Sequence, residues 1–159
     1  MNFQRRIDAA RASMAEQGID VLLVSQPANR EYLSGFANAD ESASAAAAWV
    51  VLTPTAGYFV TSFLFFEGVS GTLRHLEAVK SESRPLPGTI ELLMKLPGAT
   101  IGFESAWVSH AVVEKLSEGI GVGRALKPID GLIEGLRALK DTDELAILRR
   151  AIALTDRVY

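Results

Sequence analysis

Phe3, Ile7, Ala10 and Met14 recur at helical spacing, with Arg5, Arg6, Asp8 and Arg11 turned away from them. The pattern predicts an opening helix, capped by Asn2 and ended by Gly18. The rhythm then changes. Ile19–Ser25 is mostly apolar and does not alternate, as a central strand covered on both faces reads. Pro27 and Asn29 break it, and a short helix around Asn29–Leu33 follows, ending at Gly35. Phe36–Ser44 is small and polar and reads as a loop. Ala46–Thr53 and Tyr58–Thr61 flank Pro54-Thr55-Ala56-Gly57, a turn signal between two strands.

Beyond the hairpin the pattern predicts a helix over Phe63–Leu73 with Leu64, Phe65 and Val69 inward, then a strand at Leu76–Lys80. A loop at Pro85 and Pro87 precedes a helix at Gly88–Lys95 and a strand at Thr100–Glu104. A helix at Ser109–Glu118, a strand at Ile120–Leu126 and a helix at Ile129–Leu139 complete the series. Strands and helices alternate except at the one hairpin, which argues an α/β fold with helices on both faces of a mixed sheet.

The last segment differs. Asp141 and Glu144 form a capping box for a helix predicted to run to Tyr159. Leu145, Leu148, Ile152 and Tyr159 share one face; Ile147, Ala151, Leu154 and Val158 share the next. Together they cover about half the circumference, wider than the ~100° stripe of an ordinary surface helix. Such a helix needs a broad packing partner. No Gly, Pro or cap follows Tyr159, so the helix is expected to continue into further chain. The expected division is a domain at 1–140 and, at 141–159, a linker helix that opens a second domain.

Composition narrows the function. A length of 159 residues fits one domain. With no cysteine, disulfides, zinc–thiolate sites and thiol nucleophiles are excluded, and the cytoplasm is the expected compartment. The net charge of −3 supplies no basic face for nucleic acid. No apolar stretch is long enough to span a membrane, and the charged N-terminus is not a signal peptide. His75 and His110 stand apart from any metal-ligand spacing, and Ser109 and His110, adjacent in a helix, point in different directions. Gly119, Gly121 and Gly123 open a predicted strand, not a helix, and so do not read as a phosphate loop. Trp49 and Trp107 read as core or interface aromatics.

Three stretches carry a family resemblance. The first runs from Arg5 through the apolar strand to Pro27, Asn29, Tyr32, Leu33, Ser34, Gly35 and Phe36. The second is Ile101-Gly102-Phe103-Glu104, and the third is Leu136-Arg137-Ala138-Leu139-Lys140 with the helix after it. Together they resemble the N-terminal domain of creatinases, prolidases and Xaa-Pro aminopeptidases. The chain departs from that pattern at Ser62-Phe63-Leu64-Phe65, where many members carry Asp-x-Arg-Tyr. The resemblance implies a mixed sheet of about six strands with helices on both faces, ribonuclease H-like. It implies a non-catalytic domain that contributes to dimerisation and shapes the substrate entrance of a hydrolase. Catalysis in such enzymes belongs to a C-terminal domain, usually holding two divalent metals (Mn, Co or Zn); creatinase works without metal.

No cofactor and no catalytic or metal residue is therefore carried over to this chain. Its expected partners are its own catalytic domain and a second copy in a homodimer. Phe36, Asn38 and Asp40 are candidates for lining the partner subunit's substrate entrance. Two alternatives stand beside this. A free-standing interaction module would use the apolar face of the last helix. A ribonuclease H-like nuclease would need Asp20, Glu104 and Asp130 to converge on metal.

Overall fold

Asn2 caps the first helix, its Oδ1 accepting the Arg5 backbone N–H at 3.0 Å. That helix, α1 (Phe3–Glu16), buries Ile7, Ala10 and Met14. It ends where Gly18 takes a φ of 63°, a left-handed conformation that glycine adopts without a side-chain clash. The computed structural model describes residues 2–37 and 47–157. After α1 come β1 (Val21–Val24), α2 (Pro27–Ser34), β2 (Ala48–Leu52), β3 (Gly57–Ser62), α3 (Phe63–Ser70) and β4 (Glu77–Ser81). Then follow α4 (Pro85–Lys95), β5 (Thr100–Glu104), α5 (His110–Gly119), β6 (Ala125–Ile129), α6 (Leu132–Ala138) and α7 (Thr142–Thr155).

The strands form one six-stranded sheet in the order β4-β3-β2-β1-β5-β6. Only the pairings made by β2 are antiparallel, to β1 and to β3. The sheet is therefore mixed. β1 is central, and its four residues are fully buried because both faces are covered. Leu22 and Val24 join a core with α1, α2, α3 and α6 through Ile7, Met14, Leu33, Val69 and Ile133. Val21 and Leu23 point the other way, into a core with Leu93 of α4 and Leu116 of α5. Trp49 sits in this second core.

Several boundaries differ from the pattern-based expectation, each for a local reason. α2 starts at Pro27, where the pattern predicts only a strand break, and α4 at Pro85, where it predicts a loop. Proline fits the first turn of a helix because the N–H it lacks would go unbonded there. β6 begins at Ala125, not Ile120. Gly121 and Gly123 hold φ values of 84° and 85°, which turn the chain and delay the strand. β6 then includes Pro128, tolerated because β6 is an edge strand. α3 buries Val69 but leaves Phe63, Leu64 and Phe65 exposed, so two of the predicted inward residues, Leu64 and Phe65, face outward. α7 ends at Thr155 and not at the last residue. Arg6, which its charge places on the solvent side, is buried.

Candidate functional site

The three stretches that carry the resemblance meet in space, and Asn29 is where they join. Glu104, at the carboxyl end of β5, is buried beside the start of α2. Its Oε2 accepts the backbone N–H groups of Ser25 at 2.6 Å and Gln26 at 2.7 Å. Its Oε1 accepts the Asn29 side-chain amide at 2.7 Å. The same Asn29 nitrogen donates to Glu134 of α6 at 2.6 Å. The Asn29 carbonyl oxygen accepts Arg137 Nη1, also from α6, at 2.7 Å. Asn29 is wholly buried, so it exchanges water for a set of partners that uses both its donors and its acceptor.

Electrostatics at this node pull both ways. Burial pushes the Glu104 carboxyl above its ordinary value, and neighbouring Glu134 adds to that. The Asn29 amide and the Gln26 and Ser25 N–H groups pull it back down. Arg30, also buried, donates to the Ala48 carbonyl at 2.8 Å. Burial lowers its pKa to about 10, and Glu104 opposes that shift. The result is a ligature between α2, β5 and α6. A cavity of about 180 Å³ beside it is lined by Glu104, Glu134, Asp130, Gln26 and Trp107 among others.

Glu104 is poorly placed to hold a metal ion. Both Glu104 oxygens already accept N–H donors, whose positive ends face the space a cation would occupy. Among the described residues no group of three His, Asp or Glu side chains could hold a metal ion. His110 is exposed and lies 3.5 Å from Glu114 within the same helix. Of the three carboxylates considered for a nuclease, Glu104 and Asp130 line one cavity. Asp20 lies at the opposite end of the sheet, accepting the Ala99 and Thr100 N–H groups at 2.9 and 2.8 Å. Those two bonds hold the Asp20 carboxyl below its usual range.

Of the expected entrance residues, Phe36 is half-buried. Its ring meets Phe59 edge-on, with centroids 5.7 Å apart and planes at 75°. Asn38 and Asp40 lie outside the described residues. Nearby, where the chain departs from the family's polar motif, Phe63, Leu64 and Phe65 edge an open groove of about 1290 Å³. Trp49, Leu86, Ile90 and Val112 supply its apolar lining, and Arg84, Lys115, Glu91 and Glu118 its charges. Hydrophobic periodicity misses this groove because it assigns Leu64 and Phe65 to the core.

The last helix presents a second exposed apolar surface. No residue of α7 is buried, and Leu145, Ile147, Leu148, Ile152 and Leu154 are each at least 40% exposed. The capping box is in place: Glu144 N–H donates to Asp141 Oδ1 at 2.8 Å, and Asp141 N–H donates to Glu144 Oε2 at 2.9 Å. Among the described residues no helix is long and apolar enough to cross a membrane.

Comparison with known proteins agrees with this fold. The family described as the creatinase/prolidase N-terminal domain matches residues 6–139. An uncharacterised peptidase of Bacillus subtilis, YqhT, is 21% identical over 154 residues, covering 97% of this chain and 41% of that protein. The chain thus spans about two fifths of the curated relative it matches. The structure of a Xaa-Pro dipeptidase from Bacillus anthracis superposes with a TM-score of 0.83 at 24% identity, over 94% of this chain and 39% of that one. An aminopeptidase P from Streptococcus thermophilus superposes with a TM-score of 0.71 at 27% identity, over 85% of this chain and 98% of that one.

Proposed function

This chain belongs to the creatinase/prolidase N-terminal domain family, and from that we propose that it is the non-catalytic scaffold of a Xaa-Pro peptidase-like hydrolase. In this reading residues 1–140 form the domain, and α7 opens the catalytic domain that it packs against. The bond-breaking groups, with two divalent metal ions, belong to the portion of the relatives that this chain does not span. The chain contributes contact surface: to its own catalytic domain through α7, and to a second copy through the segment beginning at Phe36. There Phe36, Asn38 and Asp40 border the partner's substrate entrance. The observation that carries the reading is the exposed apolar face of α7, joined to a body whose own cores are already closed. A helix that buries nothing contributes little to the domain beneath it.

The free-standing interaction module rests on that same face. Ending the chain after Ala146 separates the two readings while keeping Asp141 and Glu144. If α7 belongs to a second domain, thermal unfolding of the shortened chain stays cooperative, with a midpoint within a few degrees of the parent. A collapsed transition would mean that α7 completes this fold. A midpoint that depends on concentration in the parent, and not in the shortened chain, would favour the interaction module.

A further inference from the structure

The joint between this domain and α7 has a defined pin. Arg6 projects from α1 into the space between α1, α2 and the first turn of α7, and only 6% of its side chain remains accessible. One guanidinium nitrogen, Nη1, donates to the Tyr32 carbonyl of α2 at 3.1 Å. The other, Nη2, lies 3.0 Å from Asp141 Oδ2 and 3.0 Å from Glu144 Oε1. The guanidinium carbon stands 4.3 Å from the Tyr32 ring centroid and 5.3 Å from that of Phe3. Two aromatic rings and a carbonyl thus fix the planar head group, and its Nη2 then meets both carboxylates of α7's first turn.

Those carboxylates are the capping box itself. Asp141 Oδ1 and Glu144 Oε2 close the box, while Oδ2 and Oε1 face Arg6. Capping and docking therefore use different oxygens of the same two side chains. The body gives α7 little else to lean on, since none of its residues is buried. A cavity of about 370 Å³, lined by Ala9, Tyr32, Leu136, Leu139 and Thr142 among others, lies alongside its first turn. A helix start beside open space can tilt unless a directional contact prevents it.

We propose that Arg6 is a positioning residue that sets the direction in which α7 leaves the domain, by holding the outward oxygens of the Asp141–Glu144 capping box. Whatever packs on α7 is then carried at a fixed angle to the sheet. This consequence rests on the reading that α7 opens a second domain. The pin itself does not, because all of its contacts lie within this chain.

The test separates docking from capping. Asp141→Asn with Glu144→Gln keeps side chains that can close the box and removes both charges that face Arg6. The chain has no cysteine, so Glu118→Cys on α5 and Arg150→Cys on α7 give a single spin-label pair. Electron–electron distance measurement on the parent should return one narrow distribution. In the Asn/Gln variant it should broaden roughly twofold or more, as a freed hinge would, with helix content by circular dichroism unchanged. Arg6→Gln should broaden it likewise. If Arg6→Gln fails to fold, the Asn/Gln variant, which retains Arg6, decides alone. A distribution already broad in the parent, or one unchanged in the Asn/Gln variant, would overturn the proposal. Either result leaves the truncation at Ala146 free to succeed or fail independently.

Discussion

Asn29 shows how a short motif acquires physical meaning. Its amide binds two carboxylates and its carbonyl binds an arginine, so three distant stretches close on one side chain. Asn29→Ala would leave buried Glu104 and half-buried Arg137 each short of a partner, and is expected to cost about 2–4 kcal/mol in chemical denaturation. Glu104 adds a pH signature. Its folded pKa is raised above the ordinary value of 4.5, chiefly by burial, so its favourable contribution is present in acid and lost as pH rises through the folded value. The stability margin of the parent over Glu104→Gln should therefore be larger at pH 4 than at pH 7. A margin that grows toward pH 7 would contradict this balance. Asp20 and Asp141 have lowered values, and their contributions are present above the unfolded pKa and lost as pH falls through the folded one.

The legibility of single residues follows the same physics. Asn29, Glu104 and Arg137 can each be picked out because each lies in a stretch with family character. Their meeting cannot, since no periodicity reports contacts across about a hundred residues of chain. Arg6 is misplaced by pattern alone because charge usually marks solvent. Here two carboxylates, a carbonyl and two rings replace water around it.

At the scale of elements, apolar runs and periodicity locate each helix and strand, and local backbone chemistry moves the boundaries. β6 is the clearest case: the run Ile120–Leu126 looks continuous, yet two left-handed glycines place its first half in a turn. Gly121→Ala has room for its added carbon, since the nearest neighbours are Met94 atoms at 3.7 and 3.8 Å. Its cost should thus come from backbone conformation alone, about 1 kcal/mol, read from the denaturation midpoint. A neutral result would mean that the turn can relax. α3 departs for a different reason. Its first turn has apolar residues but little covering them, so helical spacing correctly places a helix and wrongly chooses what faces inward. α7 carries the same lesson in reverse, for its wide apolar face is legible and nothing among the described residues covers it.

At the largest scale the chain folds as a mixed α/β domain of the creatinase/prolidase N-terminal family, with two apolar surfaces open among the described residues. The open surfaces are the groove edged by Phe63, Leu64 and Phe65 and the outer face of α7. Its buried ionisable groups are held by hydrogen bonds that build the scaffold, a different use of carboxylates from holding catalytic metal. The proposed scaffold role is tested most directly by hydrolysis of an Xaa-Pro dipeptide by this chain alone, assayed with Mn²⁺, Co²⁺ or Zn²⁺. No turnover above the metal-only control is expected; enzyme-like turnover that a chelator abolishes would contradict the role.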